Sequence, residues 1–220
     1  PWLARQFGAA RRDERAREKN WSPFVWQGGL YAEYSLEPRL VLSINVDTGV
    51  GTPLLPLTTS GAMRTWLHKL GPVSGGTSAV YVPSHGVYIA LAHVKLWKKK
   101  GAITSASTMM YKHFWYGFEA RPPFRVLGAS TPFTLPTQLD APPSIQFATG
   151  LVLLSHSREL VASYGEMDCV ATLATFPVES VVQSVLARKE GRAAMPLLSV
   201  LVLLRGGRGG RGRGDGDGDG

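Results

Sequence analysis

Two carboxylates late in the chain have the residue type and spacing for acid–base chemistry. Glu166 and Asp168 stand two positions apart in the segment 164–169. Alternate residues of an extended strand share a face, so the pair could divide the general-acid and general-base roles. Their separation of about 6.6–6.8 Å along a strand barely reaches that of an inverting pair. A bend at Gly165 and a β-turn, with Asp168 capping backbone amides, is the structural alternative, and the spacing alone favours it.

A second candidate group combines histidine and aromatic side chains. His93 lies near the end of one predicted strand, and the next predicted strand, 111–119, opens with Tyr111. Strand alternation places Tyr111, His113 and Trp115 on one face. Flat aromatic faces beside polar groups suit sugar rings, whereas the structural alternative is a core of large rings with polar tips at its rim. A lone histidine such as His113 is more often structural than catalytic.

A glycine-rich segment, 71–77, is the third candidate. Its adjacent glycines, Gly75 and Gly76, would let backbone amides approach a ligand closely. The segment matches neither a phosphate-binding P-loop nor a dinucleotide fingerprint, because no helical pattern follows it. A tight turn between sheets is the favoured alternative.

The elements that must position these residues are predicted to be strands. Short runs rich in Val, Ile, Tyr, Phe and Thr alternate with turn residues, which indicates an all-β architecture with almost no helix. Turns are predicted at 47–49, 84–86 and 155–158. Apolar residues spaced along one helical face predict a helix over 178–190, directly after Pro177. The predicted strands are 30–35, 39–46, 78–83, 87–94, 111–119, 124–129, 145–154, 160–165 and 168–176.

Length and composition narrow the class of protein. The 220 residues fit one domain or part of a larger one, and a single Cys excludes an internal disulfide framework and a Cys-based zinc cluster. The net charge of +8 is partly a property of the ends, since residues 1–20 hold six Lys/Arg against three Asp/Glu. The positive net charge therefore does not by itself require a nucleic-acid-binding surface. No membrane span is predicted, because the apolar run 195–204 has about half the necessary length.

Changes in composition divide the chain into four regions. Residues 1–20 form a basic arm, 21–190 the β domain, 191–204 an apolar tail and 205–220 a low-complexity tail. The last region is predicted to be disordered, because its glycines have no side chain to bury. An RGG-type RNA-binding tail is one interpretation; an extension without a selected function is favoured, since only four Arg are present and no aromatic residue interleaves.

Several short motifs follow one another along the chain. They are Lys19-Asn20-Trp21, Glu37-Pro38-Arg39, Gly75-Gly76-Thr77, His93, Tyr111, Pro123-Phe124, Ser130, Pro132-Phe133, Pro136, Ile145-Gln146-Phe147-Ala148-Thr149-Gly150 and Tyr164-Gly165-Glu166-Met167-Asp168. In this order they resemble the C-terminal part of the β-mannoside phosphorylase and hydrolase family, within the five-bladed β-propeller glycosidase superfamily. The resemblance covers about residues 19–190 and suggests a divergent eukaryotic branch. It implies a partial, about three-blade, five-bladed β-propeller with a terminal helix; nine predicted strands are too few for five blades.

The resemblance also implies ligands and site residues. It implies a glycan or oligosaccharide at a central funnel, inorganic phosphate as a second ligand of a phosphorylase, and no metal or cofactor. The substrate-binding residues that it implies are Asn20, Gly75, Gly76, Thr77, His93, Tyr111 and Asp168.

Two departures from the family pattern put catalysis in doubt. The family's catalytic Asp precedes the Lys-Asn-Trp-type segment, where this chain has an Arg-rich arm whose Asp13 has no strand context, and Ser35 replaces a phosphate-binding Arg. The sequence therefore predicts a carbohydrate-active propeller that is incomplete or inactive as an enzyme, with Asp168 and Glu166 as the remaining catalytic candidates. The alternatives are a non-catalytic glycan- or protein-binding propeller, and an RNA-associated protein acting through its tail.

Overall fold

The computed structural model describes residues 20–54, 61–71, 73–97, 109–140 and 145–187. These residues form twelve strands, arranged in three antiparallel sheets, and two helices. Apart from Asn20, the predicted basic arm lies outside the described residues, as do the apolar and low-complexity tails. No helix in this described part of the chain is long and apolar enough to cross a membrane.

Sheet A is built from four consecutive strands in sequence order. They are β1 (Ser22–Trp26), β2 (Gly29–Ser35), β3 (Leu40–Ile44) and β4 (Gly51–Pro53), each antiparallel to the next. The two residues between β1 and β2 both have positive φ, 47° and 77°. Positive φ at both central positions is the condition for a type I′ hairpin turn, which explains the glycine at position 28.

Sheet B contains the longest strands. Its strands are β5 (Val73–Gly75), β6 (Val80–Val82), β7 (Val87–Trp97), β8 (Met109–Glu119) and β9 (Val126–Ala129). β7 and β8 pair over eleven residues, while β5 and β6 pair with different ends of β7 and β9 pairs with β8. The segment 76–79 between β5 and β6 therefore runs alongside the middle of β7.

Sheet C is a meander followed directly by a helix. β10 (Gln146–Leu154), β11 (Glu159–Glu166) and β12 (Val170–Pro177) pair in that order, and α2 (Val178–Leu186) begins at the next residue. The other helix, α1 (Gly61–Leu70), precedes sheet B.

Sheet B lies between two hydrophobic cores. One core joins Trp115 and Leu91 of sheet B to sheet C and to the valines of α2. The other core joins Phe114 and Tyr116 to sheet A, through side chains such as Phe24. β8 is therefore buried on both faces, with alternate residues entering opposite cores as the sequence pattern predicts.

The structure confirms a mostly β fold and changes several details. Each of the nine predicted strands overlaps an observed strand, and the predicted helix begins at Val178 as expected, although the described helix ends at Leu186. The expectation of almost no other helix was wrong, because α1 occupies residues 61–70. β1, β4 and β5 were not predicted; β4 and β5 have only three residues each, and β1 contains Pro23.

A candidate binding site where three sheets meet

Gly75 and Gly76 lie at the junction of the three sheets. A Cβ on Gly75 would collide with the carbonyl oxygen of Asn20, at the start of sheet A. A Cβ on Gly76 would lie 2.8 Å from the carbonyl oxygen of Leu91 in sheet B and 3.4 Å from that of Ala148 in sheet C. Neither glycine has a positive φ. Glycine is required here because the backbones of neighbouring sheets approach so closely.

Thr77 holds the segment 76–79 against the middle of β7 through two hydrogen bonds. Its backbone N–H donates to the carbonyl oxygen of Leu91 at 3.2 Å, and its Oγ1 accepts from the N–H of Leu91 at 3.1 Å. The side chain is fully buried. Thr77 thus continues the hydrogen bonding of sheet B between β5 and β6 and positions the two glycines.

His93 and Tyr111 form an aromatic wall beside the glycines. Their ring centroids are 5.2 Å apart, and the edge-on ring of Phe147, from sheet C, is 5.2 Å from that of His93. His93 is buried, whereas Tyr111 and Phe147 are half-buried. The Nζ of Lys95 lies 5.5 Å from the centroid of the Tyr111 ring. Sequence reasoning had assigned no role to Lys95; its position two residues after His93, on the same strand face, was the available signal.

The structure brings six of the seven predicted substrate-binding residues into one neighbourhood. Asn20 abuts Gly75, and β5 pairs with β7 so that Ser74 faces His93. His93 in turn contacts the ring of Tyr111. The six residues are Asn20, Gly75, Gly76, Thr77, His93 and Tyr111.

Asp168 has a different setting. It is exposed in the turn between β11 and β12, where Met167 and Asp168 both have positive φ and the N–H of Cys169 donates to the carbonyl oxygen of Glu166 at 3.1 Å. Its side chain makes no hydrogen bond or ion pair with any other described residue. The bend that the sequence placed at Gly165 lies instead at 167–168, and Gly165 is part of β11.

Glu166 is fully buried, and its carboxylate has several hydrogen-bond donors. It accepts from the hydroxyl of Thr137, from the hydroxyl of Thr172 at 2.6 Å and from the backbone N–H of Gln138 at 3.2 Å. Glu166 therefore ties the segment before sheet C to the hairpin. The two carboxylates do not share a strand face, because the chain turns directly after Glu166.

His113 lies on the same strand face as Tyr111 and is fully buried. Burial, followed by the nearby charges of His93 and Lys112, lowers the pKa of His113 to about 3. Within the described residues, neither ring nitrogen of His113 has a hydrogen-bond partner. The structure therefore holds this imidazole in its neutral form.

The pKa of His113 predicts a loss of stability in mild acid. An unfolded histidine has a pKa of about 6.5, so below that pH only the unfolded chain takes up the proton. The loss should amount to about 1.4 kcal/mol per pH unit, or about 2 kcal/mol between pH 6.5 and pH 5. Urea unfolding of the wild type and of His113→Leu at pH 7 and pH 5 measures it, with His68→Leu, at an exposed position of α1, as the control. The prediction would be refuted if the difference in the free energy of unfolding between the wild type and His113→Leu were the same at both pH values.

The described residues define a mostly β protein, and two chains of solved structure match it. No family model matches the sequence, and no curated protein matches it. One solved structure with a similar course of the chain is a glycosyl hydrolase from Bacteroides ovatus, with a TM-score of 0.45 and 16% sequence identity. The match covers 73% of this chain and 49% of the other, so this chain spans about half the length of that protein.

Proposed function

We propose that this chain is a glycan-binding β-propeller protein of the β-mannoside phosphorylase and hydrolase lineage, and that it holds the sugar without turning it over. The observation that carries this proposal is the meeting of three sheets at Gly75 and Gly76, with His93 and Tyr111 beside them.

The order of the sheets supports a propeller. Each sheet is formed by consecutive strands, and sheet B has sheet A on one side and sheet C on the other. Propeller blades are four-stranded antiparallel sheets that follow one another around a central channel. Sheet A has four strands in sequence order, as a blade requires. The junction at Gly75 and Gly76 is then the part of the channel wall that three blades share.

The side chains at this junction suit a sugar. The half-buried ring of Tyr111, with Phe147 nearby, offers apolar surface to the C–H groups of a pyranose. Asn20 offers an amide that can both donate and accept hydrogen bonds, and small-ligand sites combine apolar walls with a few such polar groups. Phe147 also pairs with Gly165 in sheet C, so an oligosaccharide could extend from Tyr111 toward the hairpin that carries Asp168.

The settings of the two candidate acids favour binding over turnover. The carboxylate of Glu166 is buried and engaged by three donors, and Asp168 is exposed in a turn. General acid–base catalysis requires a carboxyl group within hydrogen-bond reach of the reacting atoms. The carboxylate of Glu166 is already hydrogen-bonded to Thr137, Gln138 and Thr172, and Asp168 does not share its strand face, so the two are not placed as a paired acid and base.

Calorimetric titration of the full chain with manno-oligosaccharides tests the proposal. Tyr111→Ala should weaken binding about tenfold, which corresponds to about 1.4 kcal/mol, because the sugar loses its aromatic surface. Tyr81→Ala removes an exposed tyrosine from β6 and should leave the affinity unchanged. Absence of binding, or equal affinity for the two variants, would overturn the proposal.

A turnover assay completes the test. Incubation of the same oligosaccharides with the full chain, with and without inorganic phosphate, should release neither free sugar nor sugar phosphate. Product formation that is lost in Asp168→Asn, or in Glu166→Gln, would show that the site is catalytic and that the binding-only part of the proposal is wrong.

A further inference from the structure

A second set of polar side chains lies in the turn between β6 and β7. The Oγ of Ser84 is 2.9 Å from the Nδ1 of His85, and the Nε2 of His85 is 3.2 Å from the Oε2 of Glu179, in the first turn of α2. The other carboxylate oxygen of Glu179 accepts from the Nε2 of Gln183 at 2.9 Å. Hydroxyl, imidazole and carboxylate thus form a continuous chain, and the glycan site uses none of them.

Hydrogen-bond chemistry determines which atom carries each proton. An ionised carboxylate can only accept, so the Nε2 of His85 must hold a hydrogen and donate it to Glu179. In the neutral ring Nδ1 is then an acceptor, and the hydroxyl of Ser84 donates to it. A carboxylate that holds a histidine tautomer while the histidine accepts from a serine hydroxyl is the arrangement that activates a serine nucleophile. In the serine proteases Nε2 accepts the serine proton and Nδ1 faces the carboxylate. In His85 the two nitrogens have the opposite roles, and either ring nitrogen can accept a proton.

A cleft of about 490 Å³ adjoins this chain of groups. It lies between the β6–β7 turn, the β10–β11 turn and the start of α2, within the size range of small-molecule sites. Val82, Leu153 and Val178 give it an apolar wall, and Arg158 lines it as well. Arg158 makes no ion pair with any residue in the described ranges, so its charge is available to a ligand.

We propose that Ser84 is the nucleophile of an acyl-transfer site for small carboxylic esters with an apolar acyl chain. Its Oγ attacks the ester carbonyl carbon while its proton passes to Nδ1 of His85, and the negative charge that develops on the carbonyl oxygen faces Arg158. The bond from the carbonyl carbon to the alcohol oxygen then breaks, and Nδ1 returns the proton to the leaving oxygen. Water releases the acid from the acyl-serine by the same route, with His85 again as the base.

The chain contains its own matched control. The β10–β11 turn carries the same dipeptide, Ser155-His156, at an exposed position. In the described structure His156 has no carboxylate partner. If exposure alone made a serine beside a histidine reactive, Ser155 would react as readily as Ser84. If the Glu179-held imidazole activates the hydroxyl, only Ser84 will react.

Labelling of the full chain with a fluorophosphonate, followed by peptide mass mapping, tests the proposal. The adduct should form on Ser84 and not on Ser155. His85→Gln should slow labelling about 100-fold, because it removes the general base, and Glu179→Gln about tenfold. His156→Gln should leave the rate unchanged. Hydrolysis of p-nitrophenyl butyrate should be lost in Ser84→Ala and kept in His156→Gln.

Two results would overturn the proposal. One is labelling of Ser84 and Ser155 at equal rates, and the other is a labelling rate that His85→Gln does not change. The side chains of Ser84, Glu179 and His156 lie at the surface and that of His85 is partly exposed, so the variants should keep a melting temperature close to that of the wild type. That measurement separates lost chemistry from lost folding. Loss of glycan binding would leave this inference untouched, since the two sites share no residue.

Discussion

Replacing Arg39 by Met is expected to lower the free energy of unfolding by about 3–5 kcal/mol, because it leaves a buried carboxylate without its counter-ion. Arg39 and Glu33 form an ion pair between β2 and the segment that leads into β3, and both side chains are at most 2% exposed. The hydroxyl of Tyr116, from sheet B, donates to the Oε1 of Glu33 at 2.8 Å, and the Nε of Arg39 donates to the carbonyl oxygen of Phe124 at 3.1 Å. This cluster therefore joins sheet A to sheet B. Urea unfolding measures the loss.

The matched control removes the whole cluster together. In the triple variant Glu33→Leu/Arg39→Met/Tyr116→Phe no buried charge is left unpaired, so it should be more stable than Arg39→Met alone. Burial, followed by the charge of Glu33, raises the pKa of Tyr116 well above its usual value, so its hydroxyl stays a donor at neutral pH. A cost below about 1 kcal/mol for Arg39→Met, the range of an exposed ion pair, would contradict the account of this cluster.

Gly128→Ala is expected to lower the free energy of unfolding by about 3 kcal/mol, which is the upper end of the usual cost of overpacking. A Cβ at Gly128 would overlap the carbonyl oxygen of Val185 and lie 3.2 Å from its carbon, so α2 would have to move away from β9. That movement would expose the buried valines of α2, of which Val181 and Val185 are fully buried.

Gly165→Ala is the control for this substitution. Gly165 also lies in a strand, without a positive φ, and a Cβ there would meet no atom within 4 Å. Alanine at such a position should leave stability unchanged, or raise it by about 0.4–1 kcal/mol, because it restricts the unfolded chain. Thermal unfolding of Gly128→Ala and Gly165→Ala under the same conditions compares the two changes in stability. Equal effects would contradict the close packing of α2 on β9.

Local patterns were sufficient to predict much of the fold. The alternation in 111–119 assigned Trp115 and Phe114 to opposite faces, and they do enter opposite cores. α1 was missed although its apolar residues at 63, 66, 67 and 70 recur at helical spacing, and Gly71, with φ of 87°, follows directly as a C-terminal glycine. The strand patterns on either side of this segment dominated the prediction of an all-β architecture.

The candidate site was predictable in its parts but not in its packing. The resemblance marked Asn20, Gly75 and His93 individually, yet only the structure places Asn20 against Gly75. The contacts of Tyr116 with Glu33 and of Arg39 with Phe124 join residues more than eighty positions apart. No local periodicity reports such pairs, because they depend on how whole sheets pack. The same limit applies to the contact between His85 and Glu179.

A titration of the ¹⁵N-labelled full chain with mannobiose, followed by amide chemical shifts, tests the central claim most directly. The account predicts saturable shifts at Asn20, Gly75, Gly76 and Thr77 and around His93 and Tyr111, with none in the distant turn at 83–86. Shifts confined to other surfaces, or no shifts at saturating sugar, would contradict the claim that the junction of the three sheets is a glycan-binding site.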